Sequence, residues 1–307
     1  MDLPFVTVDV FTTVRYRGNP LAVVTIPADG PQPSQEQKQA IAREFNLSET
    51  VFVHHVNPDS PGCDVTSRVI DIFTTDAELP FAGHPVIGTA FSLIPEGVDT
   101  VVTKAGPVAI IHPRIGHVQA SIPHNARCHR RTLADLTAPA PGQLSPHPEI
   151  LRRELQSPLF SIVNGMTFAL INMPDLEHLA QVQTSVVSLP VELLDDGWQN
   201  GLLCKYYYLL LRERDDDGVT VLSIRTRMME ATMEDPATGS AACALSCFLS
   251  LQHFAQLDQT LRFKIDQGVE MGRESNIEVE VAVKDSQIDT VKLSGTAEPV
   301  MRGYVRA

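Results

Sequence analysis

Three short segments carry side chains able to move a proton or hold an anion: Asn46-Leu47-Ser48-Glu49-Thr50, Glu78-Leu79-Pro80-Phe81-Ala82-Gly83-His84-Pro85 and Glu234-Asp235-Pro236-Ala237-Thr238-Gly239-Ser240. In the first, Glu49 stands where a helix end passes into the apolar run Val51-Phe52-Val53. A carboxylate beside a buried strand is costly unless it is paired or protonated. Glu49 is therefore an exposed loop acid, a helix-end contact, or part of a site that gains from it. In the second segment His84, between Gly83 and Pro85, falls at the mouth of a predicted helix, where the helix N-terminus favours a neutral imidazole. It can donate a hydrogen bond to a ligand oxygen, share in proton movement, or simply cap the helix. In the third, Asp235 suits the N-terminal cap of another helix and Ser240 offers a hydroxyl at the same mouth.

Both glycine-containing turns leave backbone N–H groups unpaired and aimed at whatever lies in front. Gly83-His84 and Gly239-Ser240 are thus candidate seats for an anion or a developing oxyanion. One seat in each half of the chain suggests one ligand held between two related lobes.

The elements that must carry these residues read as follows. Phe5–Phe11 alternates and is β-branched, the Gly18-Asn19-Pro20 turn follows, and Leu21–Ile26 is a second strand. Ser34 with Gln37 is a capping box opening a helix to about Phe45, with Ala40, Ile41 and Phe45 on one face. Strands are expected over 50–55 and 65–73, then a helix over 81–93, then strands near 98–104, 107–112 and 117–122. Pro, His, Arg and small residues fill 123–148, which reads as a linker. The second half repeats the plan with strands at 159–163, 167–172, 205–211 and 219–225 and a helix from Thr238 to about Leu251. Strands at 260–265, 276–283, 288–293 and 297–305 complete it. Val86–Ile94 and Ala241–Leu251 are apolar or small on nearly every face, and a helix without a polar face must be surrounded by protein. Two β-rich lobes, each wrapped about a central helix, are expected.

The 307 residues suit two domains, and 43% hydrophobic with 20% charged residues is an ordinary soluble composition. Neither a signal-like amino terminus nor a membrane-length apolar stretch is present, so a cytoplasmic location is expected. Twenty-four Lys and Arg against 37 Asp and Glu give a net charge of −13, which disfavours nucleic acid as a partner. The small basic cluster Arg127–Arg131 reads as solvated linker. Five scattered cysteines imply reduced thiols, and Cys243 and Cys247, sharing a helix face, read as buried small hydrophobes rather than metal ligands. His54 and His55 on a strand point to opposite faces and cannot share a metal. No glycine-rich nucleotide fingerprint supports a nucleotide cofactor. Gly268–Arg273 reads as a hairpin turn.

Gly18-Asn19-Pro20-Leu21-Ala22-Val23-Val24, the three segments above and Gly272-Arg273, in this order, resemble the phenazine-biosynthesis PhzF-like family over nearly the whole chain. The resemblance implies an α+β, diaminopimelate epimerase-like fold: two pseudo-symmetric β-barrel-like lobes, each around a central helix, with the site in the cleft between them. The implied boundaries are 1–123 for the first lobe, completed by a strand near 300–305, then a linker over 124–148 and a second lobe over 149–299. A homodimer needing no cofactor or metal is implied as well.

In that family a Glu matching Glu49 moves a proton between carbons of a dihydro-hydroxyanthranilate. Residues matching His84 and Asp235 assist, while Gly83, Gly239 and Ser240 match positions that hold the acidic substrate. Such a base benefits from burial that raises its pKa towards neutrality. The rival enzyme is a cofactor-independent epimerase or racemase; those of this fold use paired thiols, and no Cys stands at either helix mouth here. A non-catalytic binding protein on the same scaffold is opposed by the joint presence of Glu49, His84 and Asp235. The chain departs from the family pattern at Thr75, where Pro is common, and over Arg225–Met233, which is shorter and Met-rich. Pliable Met side chains there imply an altered pocket and a different substrate.

Overall fold

The alternation at the amino terminus forms β1 (Asp2–Val10), and the Gly-Asn-Pro turn delivers the chain into β2 (Asn19–Ile26). The computed structural model describes residues 1–60, 62–216, 218–254 and 258–307. Its chain divides into two compact units, Met1–Ile122 with Leu293–Ala307, and Pro123–Lys292.

In the first unit β1 and β2 are followed by α1 (Gln35–Phe45), β3 (Glu49–His54), β4 (Ser67–Phe73), the two-residue β5 (Glu78–Leu79) and α2 (Gly83–Ser92). Strands β6 (Thr100–Thr103), β7 (Gly106–Arg114) and β8 (His117–Ser121) come next. The capping box forms as expected: Gln37 N–H donates to Ser34 Oγ at 3.2 Å and Ser34 N–H donates to Gln37 Oε1 at 2.8 Å. The buried face of α1 is Lys38, Ile41 and Ala42, whereas Ala40 is exposed, so the expected apolar stripe is rotated by a residue. Ile41 and Ala42 pack on Leu3, Val24, Ile26, Phe52 and Phe73.

β1 pairs antiparallel with β2, β2 runs parallel to β3, and β3 is antiparallel to β4. β4 pairs with β5 antiparallel and with β6 parallel, and β6 with β7 antiparallel. The apolar helix α2 lies against β1, β2, β3 and β8. Its approach depends on Gly88, where an added Cβ would come within 2.6 Å of both Leu21 Cδ2 and Val10 Cγ2.

The second unit starts with β9 (Arg127–Thr132), then α3 (Pro148–Leu155), β10 (Pro158–Val163), β11 (Met166–Asn172) and α4 (Leu176–Ala180). It continues through β12 (Leu202–Asp216), β13 (Val219–Glu230), β14 (Met233–Asp235), α5 (Gly239–Phe254), β15 (Gln259–Gln267) and β16 (Ser275–Lys284). β17 (Gln287–Gly295) precedes β18 (Ala297–Arg306), which pairs antiparallel with β1, Leu3 opposite Val305. β10 is antiparallel to β11, β11 parallel to β12, and β12 antiparallel to β13. β13 pairs with β14 antiparallel and with β15 parallel, and β15 with β16 antiparallel. This is the pairing order of the first unit, with α5 in the place of α2. The expectation of strands around one apolar helix in each half holds.

The segment expected as a linker contains β9, whose Cys128 lies opposite Phe160 of β10. Its exposed positions are Cys128, Arg130 and Arg131, a polar pattern that masked a strand whose His129 is buried. The basic cluster is accordingly not free in solvent: Arg127 Nη2 lies 2.6 Å from Asp195 Oδ2, and Arg131 donates to Glu192 O at 2.9 Å. The Gly268–Arg273 turn is present, closed by Arg273 N–H donating to Gly268 O at 2.9 Å.

Overpacking a tight helix–sheet contact typically costs about 1–3 kcal/mol. Gly88→Ala is expected to lower the unfolding free energy by roughly that amount. Urea denaturation reads it directly, and an unchanged midpoint would show that α2 does not depend on this close approach.

Candidate active site

Helix α1 stops at Asn46, which adopts the left-handed conformation (φ 50°) and turns the chain through Leu47 and Ser48 into β3. Glu49 is the first residue of that strand, held beside Leu21 of β2. The neighbouring helix α2 begins at Gly83, behind Ala82 as its N-cap. Alanine has no side chain to accept from the first turn, and no side-chain cap bond is made. His84, 3% exposed, therefore sits in an uncapped first turn, with Pro85 supplying no N–H of its own.

His84 Nδ1 lies 3.0 Å from Glu49 Oε2. The contact is close, but it is not aligned as a hydrogen bond, and both Glu49 Oε2 and His84 Nε2 remain buried without a hydrogen-bond partner. Burial opposes the charged form of Glu49, but the charge and contact of His84, with a bond from Ser48, outweigh it and hold the carboxyl below its usual range. The expected upward shift is thus corrected: the opposing imidazole wins over desolvation. Ser48 Oγ also lies 3.3 Å from Asn19 Oδ1, an alternative acceptor for the same hydroxyl proton.

The second unit presents the matching turn. Asp235 ends β14 and is 7% exposed, and Ser240, 9% exposed, is in the first turn of α5 after Gly239. The Asp235 carboxylate accepts from the Thr238 hydroxyl at 2.6 Å, so it braces the turn rather than standing alone. Gln267 Nε2 donates to Asp235 O at 2.8 Å and to Thr238 Oγ1 at 3.0 Å, and Tyr206 OH donates to Gln267 Oε1 at 3.2 Å. Gly268 lets this support come close: its φ is +72° and a Cβ would lie 2.6 Å from Pro236 O. The structure brings Glu49, Gly83 and His84 together in the first unit and Asp235, Gly239 and Ser240 together in the second.

Sequence reading missed the supporting groups Thr238, Gln267 and Tyr206. Thr238 was inside the quoted segment and available as a signal, while nothing near Gln267 or Tyr206 marked them. Arg225–Met233 is the β13–β14 hairpin, in which Met228 and Met229 are 4% and 3% exposed. Arg227 locks that hairpin, its Nη2 lying 2.8 Å from Glu234 Oε2 and its Nη1 donating to the carbonyls of Leu179, Ala180 and Val182.

The thiols are unsuited to act as bases. Burial pushes the Cys243 and Cys247 thiols up, far from the thiolate a two-base epimerase needs. His54 and His55 face different acids, Asp71 at 2.8 Å and Glu96 at 3.6 Å. Among the described residues no group of three or more His, Cys, Asp or Glu could hold a metal ion. A Ser161–His129–Asp195 grouping exists but is wired against nucleophilic chemistry. Asp195 N–H donates to His129 Nδ1 at 3.2 Å, so the ring proton is on Nε2, the atom 2.8 Å from Ser161 Oγ, and cannot accept the serine proton there.

The chain matches the phenazine biosynthesis-like protein family over residues 8–195 and 219–303. It belongs to this PhzF-like family of isomerases and epimerases. An uncharacterized isomerase from Mesorhizobium japonicum is 32% identical, with 96% of this chain and 96% of its own covered. A trans-2,3-dihydro-3-hydroxyanthranilate isomerase from Pseudomonas fluorescens is 28% identical, with 98% of each chain covered. Among solved structures, the Bacillus anthracis PhzF-family protein superposes with a TM-score of 0.73 at 20% identity, covering 100% of both chains. A hydroxyproline epimerase from Agrobacterium vitis shares the fold at a TM-score of 0.59 and 12% identity, over 99% of this chain and 92% of that one. The α+β, diaminopimelate epimerase-like fold expected from the sequence is therefore the fold of this PhzF-like protein. No helix among the described residues is long and apolar enough to cross a membrane.

A carboxyl held below the ordinary glutamate value of 4.5 stabilises the fold above that pH and loses its contribution as pH falls through its own lower value. Replacing His84 with Gln removes the charge that opposes burial and leaves only the Ser48 bond against it, so the Glu49 pKa is expected to rise. Carboxyl ¹³C NMR, with the Glu49 signal assigned by its loss in Glu49→Gln, measures the shift. A titration unchanged in His84→Gln would remove His84 as its cause.

Proposed function

We propose that this PhzF-like protein is a cofactor-independent isomerase in which Glu49 relocates a proton between carbons of a small carboxylated or carbonyl-bearing substrate. The observation that carries the reading is the pair itself: Glu49 Oε2 and His84 Nε2, both buried and lacking hydrogen-bond partners, beside an uncapped helix start. Buried polar atoms are ordinarily satisfied, and such exceptions collect where a ligand completes the bonding. The P. fluorescens relative, by its name an isomerase of trans-2,3-dihydro-3-hydroxyanthranilate, supports the reaction class.

Glu49 takes the proton from an activated carbon and returns it to another carbon of the same π-system. A carboxylate below its usual pKa range is a weak base, so the carbon acid must be acidified by groups that accept its developing charge. The N–H groups of Gly83 and His84 at the positive end of α2 meet that need, and His84 Nε2 is the side-chain group available to a substrate oxygen. Asp235, Gly239 and Ser240 are proposed to position the substrate, with Asp235 braced through Thr238 and Gln267. One carboxylate doing both transfers distinguishes this chemistry from epimerisation, which needs a base on each face.

Removal of a general acid–base group typically lowers the rate by about 10²–10⁴-fold. Glu49→Gln is expected to lose at least roughly 10²-fold in solvent deuterium uptake or isomerisation by unsaturated cyclic carboxylic acids in D₂O. In the wild type, the acid limb of the rate profile is expected below pH 4.5, the ordinary value from which Glu49 is displaced downwards. Equal uptake by wild type and Glu49→Gln would sink the assignment.

A further inference from the structure

A cavity of about 380 Å³ lies in the second unit, where the loop before α3, the loop after α4 and strand β12 meet. Its volume is within the roughly 300–1,000 Å³ of small-molecule sites. Lys205 and Glu154, 6% and 0% exposed, are among its lining residues, and both are ionisable groups that the proposed proton transfer does not use.

The polar atoms there are unevenly committed. Glu154 is heavily engaged: Oε1 accepts from Lys205 Nζ at 2.8 Å and from Tyr207 OH at 2.5 Å, and Oε2 accepts from Ser145 N–H at 2.7 Å. Lys205 uses two of its three N–H groups, on Glu154 and on Gln143 O at 2.7 Å. The first turn of α3 begins with Pro148 and has no side-chain cap bond, leaving the positive end of the helix open. His147, the N-cap residue, lines the same cavity with Nδ1 buried and without a hydrogen-bond partner, its ring set edge-on against His178 at 5.3 Å. Lys205 and the start of α3 thus offer uncommitted donors, joined by His147 in its Nδ1–H tautomer, whereas three of the roughly four acceptor sites of the carboxylate are already used. Leu144, Ile150 and Val182 supply an apolar wall.

We infer that this cavity is a second small-molecule site, taking a small organic carboxylate whose charged end meets Lys205, His147 and the start of α3 and whose apolar body lies on Leu144, Ile150 and Val182. The inference is independent of the role proposed for Glu49. The acceptor oxygens of a carboxylate match the surplus of donors, and a neutral amide of the same shape replaces one of them with another donor.

Benzoate is the probe and benzamide its neutral counterpart, each followed through the imidazole NMR signal of His147, assigned by its loss in His147→Gln. Benzoate is expected to move that signal saturably in the millimolar range, and benzamide to bind at least tenfold more weakly. The paired variant Lys205→Gln/Glu154→Gln, which keeps two hydrogen-bonding amides but removes the ammonium, is expected to weaken benzoate about tenfold, or about 1.4 kcal/mol. Glu49→Gln is expected to leave the shift unchanged, which separates this site from the one proposed for proton transfer. A His147 signal that stays still in benzoate, or moves equally with benzamide, overturns the inference. The comparison of the two probes in the wild type decides the matter even where the paired variant fails to fold.

Discussion

A carboxylate in a buried setting must be opposed by charge or hydrogen bonding, and the first unit is arranged around that constraint at Glu49. The left-handed turn at Asn46 fixes where β3 begins, the parallel pairing with β2 fixes its register, and the glycine at 88 lets α2 settle deeply enough for His84 to meet Glu49 Oε2 at 3.0 Å. Burial alone would push the Glu49 carboxyl towards neutrality; its imidazole neighbour reverses the direction. The pair is compact yet unfinished, with one atom on each partner left without a hydrogen bond.

The same order of strand pairings occurs in both units, and in each an apolar helix follows a two- or three-residue strand and starts at a glycine. Aligned on those glycines, Glu78-Leu79-Pro80 corresponds to Glu234-Asp235-Pro236, and His84 to Ser240. The scaffold is repeated but the chemistry is not. The first unit combines its helix start with an imidazole and a carboxylate from a neighbouring strand, whereas the second carries a hydroxyl and an aspartate tied into its own turn. Repetition of backbone with divergence of side chains suits the different duties proposed for the two helix starts, proton handling in the first and substrate positioning in the second.

The second unit also invests heavily in buried hydrogen bonding. Gln267, fully buried, bonds both Asp235 and Thr238, and Tyr206 reaches Gln267 from β12. Such networks specify one arrangement because a half-made network in a low-dielectric interior is costly. Arg227 serves the same end from the other side of the β14 hairpin, joining Glu234 to three backbone carbonyls. Asp235 is therefore held by Gln267 from 32 residues away, while Arg227 holds its neighbour Glu234.

Local patterns carried much of this protein on their own. The capping box at Ser34 and Gln37, the alternating strands, the two apolar helices and the glycine turns before them all follow from short-range physics, because caps, periodicity and φ preferences act over a few residues. So did the candidacy of Glu49, His84 and Asp235, whose segments are unusual in their immediate context. Tertiary structure alone decided the direction of the Glu49 pKa shift, the strand formed by the arginine-rich β9, the burial of Met228 and Met229, and the support of Asp235 by Gln267. Each of these depends on a partner brought in from a distant part of the chain, and electrostatics and packing respond to distance in space rather than to separation along the sequence.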